Sequence, residues 1–233
     1  MDYYKLNTCE SCFVNNDLFK KITKDQADIL SYIKNCNTYK KGDTIYTEGS
    51  RISGIYCLNK GIIKHYKTGN DGKEQIIRFS KTGDIFGYRS VLAGEPACTT
   101  AKVVEDGSVC FIPAAHFLKL IKENSDFAVS VMKLSCKELG DANQYILDIA
   151  QKNVKERLAE ILLLLNDNFG TDNNGNLNIF LTREELAGLV GTATESVIRL
   201  LSEFKKNKLI KLDKRKIKLL DIKKLKHISQ SYY

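Results

Sequence analysis

The chain has 233 residues, seven cysteines, no tryptophan, 43% hydrophobic and 27% charged residues, and a formal net charge of +8, which leaves room for two domains of ordinary size. Residues 1–7 lack an apolar signal region and the longest apolar run, residues 161–165, is far too short to span a bilayer, so no membrane partner is expected. The expectation is a cytoplasmic protein whose thiols are reduced rather than built into a disulfide framework.

In chain order the first signal is Cys9-Glu-Ser-Cys12, whose two-residue gap lets two thiolates meet one metal or cluster. The bland alternative is an exposed pair near a flexible terminus. Glycines then recur as punctuation in Lys41-Gly-Asp43, Glu48-Gly49, Asn59-Lys-Gly61, Gly69-Asn-Asp-Gly72 and Thr82-Gly-Asp84. Between and after them, runs rich in Ile, Tyr, Phe and Val occupy residues 55–58, 62–66, 75–79, 101–104 and 108–112. Short strands separated by turn signals predict an antiparallel barrel or sandwich. Cys57 and Cys136 sit in apolar patterns and read as small core residues, and the three histidines have no ligand spacing.

From Phe117 to about Leu165 there is no proline and one glycine, Gly140, and an apolar periodicity runs through Phe127, Val131, Leu134, Leu139, Ile146 and Ile149. Gly140 weakens a single continuous helix by about 1 kcal/mol without forbidding it. The stripe around Val131, Leu139 and Ile146 is expected to bury against a second copy of the chain, with packing onto the barrel as the alternative. Residues 166–178, rich in Asn, Asp and Gly, read as a loop.

The segment that follows reads as two short helices pivoting at Gly191, a helix-turn-helix. Thr182 with Glu185, and Thr192 with Glu195, have capping-box spacing. Val197, Leu200, Leu201 and Phe204 form the buried stripe of the second helix, and Thr194, Glu195, Ser196 and Arg199 its outer face. Glu195 and Arg199 are either an ordinary i,i+4 ion pair or, at a recognition-helix start, a pair that reads cytosine N4 and guanine O6/N7. From Lys205 to Lys226 there are eleven basic residues and two acidic, a face that attracts phosphates. Residues 209–220 alternate apolar and basic about Asp213-Lys-Arg-Lys216, which predicts a wing hairpin with Lys214, Arg215 and Lys216 near phosphates; a solvated tail is the competing reading.

This order of parts resembles the Crp/Fnr family of bacterial transcription regulators along nearly the whole chain. The resemblance rests on Lys41-Gly-Asp-Thr-Ile-Tyr-Thr-Glu-Gly49, Ile55-Tyr-Cys-Leu-Asn-Lys-Gly61 and Gly83-Asp-Ile-Phe-Gly87, on Asn153-Val-Lys-Glu-Arg-Leu-Ala159, and on Thr194-Glu-Ser-Val-Ile-Arg199. It implies an α+β fold: a double-stranded β-helix sensor barrel of the cyclic-nucleotide-binding kind over residues 1–122, a dimerisation helix over 123–152, and a winged helix-turn-helix over 153–233. It also implies a homodimer on double-stranded DNA with a two-fold symmetric site, with RNA polymerase as a further partner.

The effector pocket is expected around Gly87, Tyr88, Arg89, Ser90, Cys98 and Thr99. Cyclic-AMP-binding relatives place a Glu for the ribose and an Arg-Ser pair for the phosphate in this loop, whereas here Tyr88, Ala97 and Cys98 stand at those places. A cyclic phosphate would lose a charge-assisted contact worth about 1.5–3 kcal/mol, so cyclic AMP is not the expected effector. The oxygen-sensing branch of the family holds an iron–sulfur cluster, and the resemblance makes Cys9, Cys12 and Cys110 candidate ligands. Cys110 lies where the fourth ligand is expected and Leu18 stands near the place of the missing third N-terminal one, with Cys36 or a non-protein ligand as substitutes. A regulatory module acting on a protein partner is the other reading. No P-loop or nucleophile elbow suggests an enzyme.

Overall fold

The computed structural model describes residue 16 and residues 18–230, an α+β chain in two compact units. The first runs to Lys67 and resumes over Ile76–Gly140; the second comprises Thr68–Gln75 and the chain from Asp141 onward.

In the first unit, helix α1 (Lys24–Ile33), which the sequence reading did not foresee, starts at a capping box in which Thr23 accepts from Gln26 N and Gln26 accepts from Thr23 N. Six strands follow: β1 (Asn35–Tyr39), β2 (Thr44–Tyr46), β3 (Gly54–Thr68), β4 (Glu74–Lys81), β5 (Ile85–Phe86) and β6 (Thr100–Pro113). They are joined in the order β1-β6-β3-β4, with β2 on β6 and β5 on β3. The expected strands 55–58 and 62–66 are one continuous strand, as are 101–104 and 108–112. The cause is local. Gly61 is not a turn but a bulge at φ +102, where the β3–β6 register shifts between Leu58 and Lys60 and again around Ile62. A Cβ on Gly107 would stand 1.9 Å from the Lys60 carbonyl oxygen, so the two backbones pass too closely there for any other residue. The bulge bends both long strands and lets their two halves enclose separate core clusters, Leu58, Ile63, Phe86 and Val103 in one, Ile55, Cys57, Cys110 and Ile112 in the other.

The expected helix over residues 117–165 is three helices. α2 (Tyr88–Ala93) is a short earlier turn, and α3 (Ala114–Glu123), α4 (Ser125–Gln151) and α5 (Val154–Phe169) follow. Asn124 interrupts the first junction, its Oδ1 accepting from Phe127 N at 2.9 Å. Asn153 interrupts the second, capping α5 in a box with Glu156. Gly140 lies inside α4 without breaking it.

One part of the expected helix seam needs correction. Val131, like Phe127, is buried in the barrel's own core, so it does not face outward. The outward face instead carries Val129, Met132, Cys136, Leu139, Asn143, Ile146 and Ala150, all exposed and spaced alternately three and four apart. Leu139 and Ile146 are 63% and 66% exposed. The sequence pattern blurred two apolar faces because α4 has one at its root and another along its length.

In the second unit α5, α6 (Arg183–Val190), α7 (Thr194–Lys206), hairpin β7 (Ile210–Asp213) and β8 (Lys216–Leu219), and α8 (Ile222–Ser229) share a core. Leu158, Leu162, Leu186, Val197, Phe204 and Leu225 are fully buried there, each worth about 1.5–3 kcal/mol of burial. Lys152 closes the end of α4 against α5, its Nζ lying 2.9 Å from Asp148 and 2.6 Å from Glu160. Burial disfavours its charge, but the two carboxylates outweigh this and raise its pKa.

Candidate nucleic-acid interface and effector site

The helix-turn-helix is assembled by local chemistry. Thr182 caps α6, accepting from Glu185 N at 3.0 Å while Glu185 accepts from Thr182 N at 2.8 Å. Gly191 ends α6 at φ +70, a left-handed position that a side chain would strain. Arg157 of α5 fastens the turn from behind: its guanidinium donates to the carbonyls of Lys152 at 2.7 Å, Val190 at 2.9 Å and Gly191 at 3.3 Å. The second expected capping box is absent. α7 begins at Thr194 with Ala193 at its N-cap, so Thr192 sits one residue too early to reach the helix amides.

Along α7, Val197, Leu200, Leu201 and Phe204 are buried. Glu195 and Arg199 are exposed on the opposite face, with Thr194 and Ser196 half-buried beside them. The Lys155–Glu203 ion pair at 2.7 Å ties this helix to α5. The predicted wing is present: Ile210 pairs Leu219, Leu212 pairs Ile217 and Asp213 pairs Lys216. Lys214 turns the tip at φ +51, and Lys214, Arg215 and Lys216 are all exposed. Arg183, which sequence reasoning missed, donates to the Lys214 carbonyl at 3.0 Å and holds the wing tip to the start of α6.

The effector candidates differ in burial and in partners. Gly87 precedes α2 at φ +79 and lies against the Tyr56 ring, where a Cβ would come within 3.2 Å. Tyr88 and Ser90 are buried, Ser90 Oγ donating to the Pro96 carbonyl at 3.2 Å. Cys98 and Thr99 are half-buried, and the Cys98 carbonyl accepts from Lys67 at 3.3 Å. Arg89 is exposed.

Besides Lys67, a second cation, Arg78 of β4, acts on Tyr88. Its Nη1 lies 3.2 Å from Glu138 of α4, and its charge is felt by Tyr46, His65, Asp84 and Tyr88. Period-two alternation places Arg78 on the face of buried Ile76 and Ser80, a sequence signal that could have found it. Desolvation and the Glu138 carboxylate push the Tyr88 phenol up; its buried Oη makes no hydrogen bond of ordinary geometry. Burial, with Arg78 nearby, holds His65 well below its usual pKa, so it is neutral beside Ser80 Oγ at 2.9 Å.

The described residues do not form the expected cluster site. Cys9 and Cys12 lie outside them. Cys110 is bonded to Cys36 in a disulfide, against the expectation of reduced thiols, and Leu18 packs in the apolar cluster beside it. A sulfur in a disulfide supplies no thiolate to iron.

A bent β-barrel, a long helix and a winged helix-turn-helix with a basic wing define the class of DNA-binding proteins built on a helix-turn-helix. The cyclic nucleotide-binding domain family matches residues 36–124, and the Crp-like helix-turn-helix domain family matches residues 156–228. The transcriptional activator protein FnrA of Stutzerimonas stutzeri is 26% identical over 200 residues, 85% of this chain and 82% of that protein. The anaerobic regulatory protein of Bacillus subtilis is 26% identical over 216 residues, 91% of this chain and 87% of that protein. FixK2 from Bradyrhizobium japonicum shares the fold with a TM-score of 0.77 at 24% identity, covering 86% of this chain and all of that one. The chain belongs to the Crp/Fnr family of transcription regulators. Among the described residues no helix is long and apolar enough to cross a membrane.

Proposed function

We propose that the protein is a homodimeric, sequence-specific transcription regulator whose barrel controls DNA binding through α4. The observation that carries this is the pairing, on one unit, of an exposed Glu195–Arg199 face with the exposed cations of the wing. Residues 123–152 supply the dimer contact along the stripe from Val129 to Ala150. Two copies related by a two-fold axis present their α7 helices to half-sites about one helical turn apart. Thr194, Glu195, Ser196 and Arg199 face bases, Thr182 and Thr192 flank the phosphates, and Lys214, Arg215 and Lys216 neutralise them. RNA polymerase is the partner such a complex would recruit or block.

The effector is not cyclic AMP. Ala97 and Cys98 offer no cation, Tyr88 takes the ribose position, and Arg78, a cation that acts on Tyr88, is already engaged by Glu138. An anion that displaced Glu138 from Arg78 would bear directly on α4, a differential contact of the kind allostery needs.

Selection of binding sites from random DNA, followed by titration of variants, tests the reading. Arg199→Ala should lose about 1–3 kcal/mol at one base pair and relax specificity there, while Lys214→Ala weakens all sequences alike and flattens the salt dependence. An Arg199→Ala loss equal on operator and random DNA would remove the base-reading role. Saturable micromolar binding of cyclic AMP in calorimetry would overturn the effector reading.

A further inference from the structure

We propose that Cys36, Cys110 and Cys57 form an oxidative modification site in the barrel, with the Cys36–Cys110 disulfide as its oxidised product and a hydroperoxide as its oxidant. The three residues occupy one lateral row across three neighbouring strands. Cys110 of β6 is directly paired with Cys36 of β1 on one side and with Cys57 of β3 on the other. Directly opposed residues of antiparallel strands project from the same face, so Cys110 is flanked by two sulfurs. The Cys36–Cys110 bond is formed across a Cα separation of 4.0 Å, and Cys57 keeps its thiol.

Access is graded along the row. Cys36 is half-buried, whereas Cys57 and Cys110 are 5% and 3% exposed. Cys36 is therefore where an oxidant enters. Its thiolate sulfur attacks the O–O bond of the hydroperoxide, which takes two electrons and leaves as the alcohol, and Cys36 becomes a sulfenic acid. The Cys110 thiol sulfur then attacks the Cys36 sulfur, the S–O bond breaks, and the hydroxyl leaves as water with the Cys110 proton. Two thiols and one hydroperoxide give one disulfide, one alcohol and one water. Attack of Cys57 on the Cys110 sulfur would expel Cys36 as thiolate and move the bridge inward, a thiol–disulfide exchange with no net redox change.

The site has a route to the rest of the protein. Cys57 and Cys110 share their apolar cluster with Phe117 of α3 and with Phe127 and Val131 at the root of α4. Bridging ties β1 to β6 across 74 residues of sequence within that cluster. Oxidation thus alters the packing on which the first turns of α4 rest.

The test uses the full chain, reduced under anaerobic conditions and then treated with equimolar cumene hydroperoxide. Thiols are alkylated and peptides mapped by mass spectrometry, and affinity for a selected DNA site is measured in both states. A Cys36–Cys110 linked peptide that forms in the folded protein, returns to two alkylated thiols with dithiothreitol, and is absent in Cys36→Ser supports the site. A DNA affinity differing at least threefold between the two states of the wild type, and equal before and after peroxide in Cys36→Ser, supports its signalling role. Cys36 and Cys110 both remaining alkylatable after peroxide would overturn the site, a result read in the wild type and independent of any variant's folding. A bridge with unchanged DNA affinity would overturn the signalling role. That role rests on the DNA-binding reading, and binding by the reduced protein, measured first, separates failure of one from failure of the other.

Discussion

Replacing Arg157 with methionine keeps most of the apolar stem and removes the guanidinium that donates to the carbonyls of Lys152, Val190 and Gly191. The 2.7 and 2.9 Å bonds are well formed and charge-assisted, and the 3.3 Å bond is weaker. Charge-assisted bonds are worth about 1.5–3 kcal/mol each, and because Arg157 is half-buried the lower figure applies to the two good ones. The expected loss is about 3 kcal/mol, a fall of roughly 1–3 M in the urea midpoint of the second unit. Urea unfolding followed by circular dichroism measures this. Arg157→Lys, able to satisfy one acceptor at a time, should fall between wild type and Arg157→Met. DNA binding should weaken in the same order at temperatures where all three are folded, because the turn at Gly191 sets the angle between α6 and α7. A stability of Arg157→Met within about 0.5 kcal/mol of wild type, the scatter of an ordinary surface change, would refute the claim that this side chain fastens the turn.

Thr182→Ala should cost about 1 kcal/mol through loss of its cap, whereas Thr192→Ala should cost less than about 0.5 kcal/mol; equal losses would show that α7 is capped after all. The proposed dimer contact along the α4 stripe would bring Cys136 against its own copy in a parallel two-fold seam, so mild copper-catalysed oxidation should yield a covalent dimer that Cys136→Ser abolishes. A chain that stays monomeric in sedimentation and never cross-links would rule out that seam. His65 is neutral when folded and its folded pKa is depressed, so the unfolded chain binds the extra proton first. Stability is full above about pH 6.5 and falls as pH drops below that, by up to about 1.4 kcal/mol per unit, until the folded pKa is reached. The stability of wild type relative to His65→Gln should therefore decline between pH 7.5 and 5.5 on that basis, and a difference independent of pH would contradict the burial argument.

The DNA-binding half was legible because its determinants are short-range. The Thr182–Glu185 box, the left-handed Gly191 and the Lys214–Arg215 tip each fix a few residues by hydrogen bonds or dihedral preference within four or five positions. Thr192 misled because identical spacing does not decide where a helix begins; Ala193 and Thr194 settled that by backbone conformation. The barrel was half-legible. Its strands announced themselves, but Gly61 has the same composition cue as a turn, and only the close approach of Gly107 distinguishes a bulge. Arg78 went unnoticed because it lies outside the recognised loop, and only the alternation of its own strand marks it as facing inward. The Cys36–Cys110 bond was the least accessible feature, since its partners are 74 residues apart and meet only through the register of β1 on β6.

The rooting of α4 has a mechanical consequence. Phe127 is embedded in the barrel core, and the helix runs from there to Gln151 as an unbroken rod. The stretch of it within the first unit, Phe127 to Gly140, is about 20 Å long at 1.5 Å per residue, so a tilt of about 10° at its base displaces its end by roughly 3 Å. Successive bases on a DNA strand are about 3.4 Å apart. If α4 transmits the barrel's state as proposed, a rearrangement around one phenylalanine ring would be magnified by leverage to the spacing of a single step on the double helix.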